Sequence, residues 1–550
     1  MPETGEARTL EQNLTRLAAS NPALALRIRS APPDPRFVRI AARNGTFVPV
    51  VRSRAGDAPL HSLYDPLQEA RRLAETAKGN GFLAFCGLGG GYHVEAALED
   101  RQTLGVLVIE KDESVVRGLL GRFRYDRLLE DPRLSIAIGL AEIRPAVLQA
   151  WKPAVMGGMR MVPLRSWCDQ ERAFFDAAAS EVQSSIEAVR ADYGVQSHFG
   201  KRWFTNILLN LPRVAAVSVP LRAAAAGMPP AAAAVAAVTA AGPSLEHHLA
   251  GLSSRRRELT IVATDTSLPA LLRSGVQPDV VLSIDCQAYG YHHFLQGLPS
   301  GTLLYLDLAS PPFLARRFPS AHFVASSHPF ARYLDSRWIR LPAIDTSGGN
   351  VAHAAVSLAR ALGAGRIEVY GADFAYPSGK PYARGTYLYD FFQAEQDRFS
   401  PADSALVSFA LKNATLASDE GRTVYSTPVL RAYRERFCEM MGTIDAEIVP
   451  APGDGLKIRP PGGARPARAA AREWPPPPRN PPGWRELLSG FASLLQSQPA
   501  PSLIARMDEI WQTMLPAAAR AVKEGFAPGA SALEEARRWS LEQILRALRV

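Results

Sequence analysis

The stretch VTAAGPSLEHHL, residues 238–249, places a Gly-Pro-Ser turn directly after a run of small apolar residues. The run is typical of a buried strand, and the residues after the turn have the spacing of a helix. A serine at the start of a helix caps free backbone N–H groups, and the same N–H groups can bind a phosphate. Gly242, Pro243 and Ser244 therefore predict a turn with Ser244 as the N-cap, either as a structural device or as part of a phosphate site.

A second glycine-rich turn, DTSGGN at residues 345–350, leads into another predicted helix. The strand after that helix, RIEVYGAD, runs into a loop that carries cationic and phenolic side chains. We predict substrate contacts from both places, namely Ser347, Gly348 and Gly349 in the turn and Lys380, Tyr382 and Arg384 in the loop. Two helix N-termini together with Arg, Lys and Tyr donors suit a phosphodiester or a nucleotide phosphate.

Four predicted strands of this region end in an aspartate: Asp265, Asp285, Asp307 and Asp373. Ligands of open α/β sheets bind beyond the carboxyl ends of the strands, so chemistry is expected there. The chain contains neither the Asp-x-Asp pair that holds a divalent ion nor a cluster with zinc spacing. We therefore predict no bound metal and no cofactor.

The glycine loop CGLGGGYH, residues 86–93, also follows a predicted strand and opens a helix. Glu110 ends the next strand, as the acid of a nucleotide-binding fingerprint does. Two interpretations remain open, a cofactor site or close packing of strand and helix. The packing interpretation is favoured, because glycine-rich turns are common where the two elements only pack together.

The elements around these residues predict an α/β protein. Short buried strands alternate with helices from residue 231 onward, which predicts a central doubly wound, mostly parallel, Rossmann-like sheet. A smaller N-terminal α/β region precedes the sheet, and a C-terminal helical domain follows it. The predicted divisions are an N-terminal domain at 1–170, a helical connection at 171–230, a central domain at 231–459, a Pro/Gly-rich linker at 460–484 and a helical domain at 485–550.

Composition narrows the class of protein. A hydrophobic content of 47% and a charged content of 21% are those of a globular protein, and the net charge of +9 indicates either a solvated basic surface or a site for anionic substrates. No stripe of basic residues interleaved with aromatic residues indicates a nucleic-acid partner. Four scattered cysteines, no secretory signal and no segment apolar enough to span a bilayer predict a cytoplasmic protein.

Several segments together resemble the motility accessory factor (Maf) proteins, a family of flagellin glycosyltransferases. The quoted segments are AAGPSLEHHL, ATDTSLPALLRSGVQPDVVLSID and DTSGGNVAHAAVSLARALGAGRIEVYGADFAYPSGKPY, and the likeness extends to CGLGGGYH and FGKRWFTNILLNL nearer the N-terminus. It covers roughly residues 10–450. The central region is also similar to bacterial sialyltransferases that use CMP-sialic acid, through Gly242–Leu245, Thr346–Gly348 and Gly371–Phe374.

The resemblance implies transfer of a nonulosonic, sialic-acid-like sugar from a CMP-activated donor to serine or threonine of flagellin. It implies that Ser244, Asp265, Asp285, Ser347 and Gly348 surround the nucleotide. Those sialyltransferases carry a catalytic histidine downstream of the Gly-x-Asp-Phe strand, whereas this chain has no histidine after His353. Asp373 is our candidate for the catalytic base, with Asp285 and His328 as alternatives.

Two other functions stay open. The 6-hydroxymethylpterin diphosphokinases share the GPSL turn and the PDVVLSID strand, but their Mg²⁺-binding acid pair is replaced here by SIDCQAYG, which has one acid. The missing histidine and the helical tail also permit a non-catalytic, flagellin-binding protein.

Overall fold

The computed structural model describes residues 5–53, 56–217, 235–342, 344–419, 421–460, 482–498 and 508–549 of the 550-residue chain. The chain forms two compact units, Met1–Lys201 with Leu494–Leu541 and Arg202–Ser493 with Glu542–Val550. We call them the first and the second unit.

The predicted linker at 460–484 falls mostly on residues outside the described part of the chain, as does the end of the predicted helical connection at 171–230. The divisions at 170, 230, 459 and 484 stay predictions.

The strands, in chain order, are β1 (Phe37–Ala41), β2 (Phe47–Val51), β3 (Ala58–Pro59), β4 (Phe82–Cys86), β5 (Gly105–Glu110), β6 (Leu134–Ile138), β7 (Met159–Pro163), β8 (Val235–Thr239), β9 (Thr260–Thr264), β10 (Val280–Ser283), β11 (Leu303–Asp307), β12 (His322–Val324), β13 (Arg366–Tyr370), β14 (Thr415–Asp419), β15 (Arg422–Ser426) and β16 (Glu447–Pro450).

The α-helices are α1 (Gly5–Ser20), α2 (Pro22–Ser30), α3 (Pro66–Ala77), α4 (Tyr92–Leu98), α5 (Glu113–Arg122), α6 (Asp126–Glu130), α7 (Leu140–Ala150), α8 (Pro153–Met156), α9 (Arg165–Gln170), α10 (Arg172–Val217), α11 (Leu249–Ser254), α12 (Leu268–Arg273), α13 (Pro312–Arg317), α14 (Pro329–Arg337), α15 (Val351–Ala361), α16 (Tyr387–Glu395), α17 (Ala402–Leu411), α18 (Pro428–Thr443), α19 (Trp484–Ser497), α20 (Glu509–Lys523) and α21 (Ala530–Arg549). Short 3-10 helices cover Pro243–His247, Asp265–Ser267, Ala288–Phe294 and Pro377–Gly379.

The first unit contains a four-stranded parallel sheet in the order β6-β5-β4-β7 and a three-stranded antiparallel sheet, β1-β2-β3. All residues of β4 and β5 are buried. Burial on both faces explains why these strands read as continuous apolar runs rather than as an alternating pattern.

The second unit is built on a seven-stranded parallel sheet in the order β12-β11-β10-β9-β8-β13-β16. After β8 the chain adds strands in one direction as far as β12, then returns to place β13 on the other side of β8. The strand order therefore reverses between β8 and β13, and in such sheets the ligand crevice opens at this reversal. The predicted α/β class with a doubly wound, mostly parallel sheet is confirmed.

Helix α15 covers the middle of this sheet. Its apolar face packs with strand residues such as Val262, Val280 and Leu282, which are all fully buried. The antiparallel pair β14-β15 forms a separate hairpin. The loops at the carboxyl ends of β8, β9, β10 and β13 carry four of the predicted site residues, Ser244, Asp265, Asp285 and Asp373.

Candidate functional site

The Gly-Pro-Ser turn follows β8, but it differs from the prediction in detail. Gly242 is the N-cap of a 3-10 helix, and Ser244 lies inside that helix. The prediction that Ser244 is the N-cap is therefore wrong. The Ser244 backbone N–H donates to Asp373 Oδ2 at 2.9 Å, and a Cβ at Gly242 would lie 2.3 Å from the same oxygen. Glycine is needed at 242 because the Asp373 carboxylate packs directly against it.

The segment after β16 covers this pair. A Cβ at Gly453 would lie 3.0 Å from Ser244 Oγ, and one at Gly455 would lie 2.2 Å from the Asp373 carbonyl oxygen. Ser244 and Asp373 are each only 4% exposed, and burial raises the pKa of Asp373. Of the two interpretations of this turn, the structural one has support, because an internal carboxylate accepts from the Ser244 N–H.

The loop after β13 holds Lys380, Tyr382 and Arg384 beside the same turn. Lys380 Nζ pairs with Glu246 Oε2 at 3.0 Å, and the Arg384 backbone N–H donates to Glu246 Oε1 at 2.9 Å. The Tyr382 carbonyl oxygen accepts a hydrogen bond from the Tyr389 hydroxyl at 3.0 Å. The charge of Lys380 is therefore already balanced by a carboxylate, while the Arg384 side chain is exposed.

Two residues with a Cβ adopt strained backbone angles near the start of this loop. Phe374 has φ 48° and Ser378 has φ 53°, in the left-handed region that residues with a Cβ rarely adopt. Such conformations persist where the surrounding structure fixes them, and they concentrate at functional sites.

Two aspartates lie at the ends of β9 and β10. Asp265 is 1% exposed, and its carboxylate accepts from Ser283 Oγ at 2.6 Å and from the Thr266 backbone N–H at 2.7 Å. Asp285 is half-buried and accepts from the Gln287 backbone N–H at 2.8 Å. Burial, followed by the negative charge of Asp265, raises the pKa of Asp285. A carboxylate with a raised pKa that stays partly open is suited to accept a proton.

Two tyrosines lie near enough to Asp285 to feel its charge. Burial and then the Asp285 charge raise the pKa of Tyr387, and burial and the same charge, partly offset by Arg436, raise that of Tyr433. Tyr387 stacks on His292, with ring centroids 5.6 Å apart and an interplanar angle of 19°. Two carboxylates, two phenols and stacked rings in one place can bind a polar ligand that has a flat part.

The glycine turn before α15 contacts Tyr433 through Gly349. Asp345 Oδ1 accepts from the Ser347 N–H at 2.8 Å, and its Oδ2 lies 3.0 Å from His353 Nε2. The bond to His353 lowers the pKa of Asp345. A Cβ at Gly348 would lie 2.2 Å from His353 Nδ1, and one at Gly349 would lie 2.8 Å from Tyr433 Cε1. Both glycines are thus required by close packing.

His328 has a different environment. Its Nδ1 accepts from the Phe330 backbone N–H at 3.2 Å and caps α14, and burial lowers its pKa to about 3. With Nδ1 as acceptor, the ring proton resides on Nε2, so this imidazole has no free nitrogen with which to accept a proton. Its predicted role as an alternative base has little support from this geometry.

The sequence reasoning missed Tyr433, Arg436 and His353. The first two lie on α18, about eighty positions after the glycine turn they contact, and no local motif marks them. His353 follows the turn directly, and its position on the first turn of α15 was the available signal.

In the glycine loop after β4, side chains of the protein itself accept hydrogen bonds from the backbone N–H groups. The buried Glu110 accepts from the Leu88 N–H at 2.6 Å and from Trp167 Nε1 at 3.0 Å. His61 Nε2 accepts from the Gly90 N–H at 2.9 Å. These bonds agree with the packing interpretation of this loop.

Among the described residues, no group of three or more His, Cys, Asp or Glu side chains is arranged to hold a metal ion. In the same part of the chain, no helix is both long and apolar enough to cross a membrane.

Comparison with known proteins adds to this geometry. The family described as "6-hydroxymethylpterin diphosphokinase MptE-like" matches residues 206–379. Two relatives from Treponema pallidum (strain Nichols) are each described as an uncharacterized protein. One is 32% identical over 221 residues, which cover 39% of this chain and 69% of the relative. The other is 33% identical over 150 residues, which cover 26% of this chain and 66% of the relative.

A solved structure is similar over almost the whole chain. It is the MAf glycosyltransferase from Magnetospirillum magneticum AMB-1, with a TM-score of 0.57 and 15% identity, covering 99% of this chain and 95% of that one. The resemblance inferred from the sequence is thereby confirmed at the level of fold. The chain belongs to the same family as the first Treponema pallidum relative, its residues 206–379 match the MptE-like family, and its fold is similar to that of the MAf glycosyltransferase.

Proposed function

We propose that this protein is a glycosyltransferase that moves a nonulosonic sugar from a CMP-activated donor to a serine or threonine hydroxyl of flagellin, in the cytoplasm. The observation that carries the proposal is the likeness of fold to the MAf glycosyltransferase over 99% of the chain, with the candidate site residues at the carboxyl edge of the seven-stranded sheet.

The chemistry of the transfer is simple to balance. The bond between the sugar and the phosphate oxygen of CMP breaks, a bond to the acceptor oxygen forms, and the acceptor hydroxyl loses its proton to a base. Asp285 is the better base of the three candidates, because its carboxylate is half open and its raised pKa increases its proton affinity. Asp373 lies under the segment after β16 and bonds to Ser244.

Transfer from a CMP-activated nonulosonate to purified flagellin tests the function. We expect the mass of flagellin to rise by one sugar residue per modified site, with one CMP released for each. Free CMP without a change in flagellin would contradict the proposed acceptor. Flagellin that binds the protein without any CMP release would support a non-catalytic binding role instead.

Asp285→Asn tests the base. We expect transfer to fall by about a hundredfold, the lower part of the usual contribution of a general base, with CMP affinity retained. The native rate should fall as the pH drops through the raised pKa of Asp285, because the protonated carboxyl cannot accept a proton. Asp403→Asn, an exposed position on α17, is the matched control. Transfer by Asp285→Asn near the native rate would place the base elsewhere.

A second candidate is a Mg²⁺-dependent diphosphokinase acting on a pterin alcohol, which the MptE-like match over residues 206–379 favours. The two functions differ in their substrates and in their need for metal. We expect CMP-sugar turnover to survive EDTA. ATP-dependent diphosphorylation of the pterin alcohol that is abolished by EDTA would favour the second candidate.

A further inference from the structure

Aromatic side chains form a continuous strip that starts beside Asp285. Tyr289 and His292 lie on the 3-10 helix that follows Asp285, and their stacked rings have centroids 6.2 Å apart. His292 in turn stacks on Tyr387, with centroids 5.6 Å apart. Burial and then the charge of Asp285 raise the pKa of Tyr387, so this ring lies near the carboxylate. The strip therefore begins at our candidate base.

The strip continues along α16 to α17. Phe391 follows Tyr387 by four positions, which places both side chains on one face of α16. Phe391 contacts Phe392 with ring centroids 5.4 Å apart, and Phe392 contacts Phe409 of α17 at 6.2 Å. We call the rings that these contacts connect the aromatic strip: Tyr289, His292, Tyr387, Phe391, Phe392 and Phe409.

Much of the aromatic strip is exposed to solvent. Tyr289 is 66% exposed, Phe391 44% and Phe409 48%. Large apolar rings gain free energy when they leave water, and contiguous exposed apolar surface marks places where another molecule binds. Aromatic side chains are also enriched at the centres of protein–protein interfaces. Rings on three successive elements cover more surface than one sugar ring needs, so the strip suits a polypeptide.

The charge beside the aromatic strip does not suit the nucleotide donor. Helix α16 carries two acids and no lysine or arginine. Asp390 pairs with Arg273 at 2.5 Å, whereas Glu395 is exposed and, within the described ranges, has no cationic partner. An unpaired carboxylate repels a phosphate and favours a neutral or basic partner. The strip therefore fits an apolar polypeptide better than it fits CMP.

We propose that the aromatic strip binds the acceptor polypeptide, through apolar side chains that flank the hydroxyl that receives the sugar. This inference rests on the proposed function and deepens it by giving the chemistry of the acceptor. The base must lie within hydrogen-bond distance of the acceptor hydroxyl when the proton is transferred. A polypeptide whose hydroxyl is at Asp285 therefore extends over the strip that begins there.

The experiment measures the binding of two synthetic peptides to the full chain by fluorescence anisotropy. Each peptide contains one threonine, flanked by leucine and phenylalanine in the first and by glutamate in the second. We expect the apolar peptide to bind and the acidic peptide not to bind. Tyr289→Ser and Phe391→Ser should each weaken binding of the apolar peptide by about tenfold and leave CMP binding unchanged.

Tyr64→Ser is the matched control, because Tyr64 is also 66% exposed but lies in the first unit, outside the aromatic strip. It should bind the apolar peptide as the native chain does. Thermal unfolding of each variant confirms that it is folded. The KM for flagellin, measured in the transfer reaction, should rise in the two strip variants by a factor similar to the loss of peptide affinity.

Two results separate this inference from the proposed function. If flagellin is glycosylated and neither strip variant changes peptide binding or the KM for flagellin, the strip is wrong while the function stands. If flagellin is not modified, but the apolar peptide binds the native chain and is lost from both variants, the strip stands and the proposed acceptor is wrong.

Three further results overturn the inference. The first is that the apolar peptide does not bind the native chain. The second is that CMP binding falls in both strip variants as much as peptide binding does, which would assign the rings to the donor. The third is self-association of the native chain that Phe391→Ser abolishes, which would assign the strip to a second copy of this chain.

Discussion

Two glycine-rich turns of this protein are alike in sequence but differ in which of their backbone N–H groups stay unpaired. Both follow a strand or loop at the carboxyl edge of a parallel sheet and lead into a helix. In the first unit, the Leu88 and Gly90 N–H groups are bonded to Glu110 and His61, and the Gly89 carbonyl oxygen accepts from the Tyr125 hydroxyl at 2.5 Å. In the second unit, the turn at 347–350 keeps free N–H groups beside Arg436.

This comparison indicates what decides whether a glycine-rich turn can bind a ligand. Glycines allow a ligand to approach the backbone, but they allow the protein's own side chains to do so equally well. At Gly89 a Cβ would lie 2.6 Å from His61 Nε2, so the space is taken by a side chain from a distant segment. Whether such a turn has room for a ligand therefore depends on residues far from it in the sequence.

The largest expected effect comes from Gly89→Ala. Gly89 has φ +50°, and an added Cβ would meet both His61 and Leu164 within 2.7 Å. We expect the free energy of unfolding of the first unit to fall by about 3 kcal/mol, from backbone strain and overpacking together. Hydrogen exchange of the backbone amides of residues 82–125 measures this loss of stability. CMP affinity should not change in the folded variant, and a parallel loss of CMP binding would show that this loop is not merely structural.

Gly348→Val tests the other turn. Its side chain would overlap the His353 ring, since even a Cβ would lie 2.2 Å from Nδ1. We expect CMP affinity to fall by about a hundredfold, because strain of about 1–3 kcal/mol displaces the turn. Gly251→Val on α11, where nothing lies within 4 Å, is the control. Unchanged CMP binding in a folded Gly348→Val protein would exclude this turn from the site.

A graded, pH-dependent effect is expected from the titration of Glu110. Burial raises its pKa to about 7, so the folded state keeps the proton between pH 4.5 and 7 while the unfolded state releases it. Stability should therefore decrease as the pH rises through this window, by at most about 3 kcal/mol since each pH unit contributes about 1.4 kcal/mol, and then level off. Glu110→Gln should lack this decrease when unfolding is measured across the same pH range. If the stability of the native chain and of Glu110→Gln changed equally with pH, water would reach Glu110 and the glycine loop after β4 would be open to solvent.

Much of the fold follows from the sequence for a physical reason. Strands buried on both faces, such as β5 and β10, read as short apolar runs, and their alternation with helices predicts a parallel sheet. The placement of Gly242, Asp265 and Asp285 at strand ends was also predictable, because each follows its strand directly.

The pairing of side chains was not predictable in the same way. Nothing near Ser244 indicates that Asp373 bonds to its N–H, since 129 positions separate them. Likewise, Arg436 reaches Ser347 from a helix that begins at Pro428, and only the folded chain brings them together. Local patterns predict elements, whereas contacts between elements decide which groups stay free.

The carboxylate of Asp373 on the Ser244 N–H has a consequence for the charge that a ligand can carry. A ligand with a chain of phosphates would bring a second negative group toward the Gly-Pro-Ser turn, where a fixed anion already lies. Two like charges a few ångströms apart repel, most strongly where water is excluded. We therefore expect this edge of the sheet to favour a ligand with one phosphate over one with two or three.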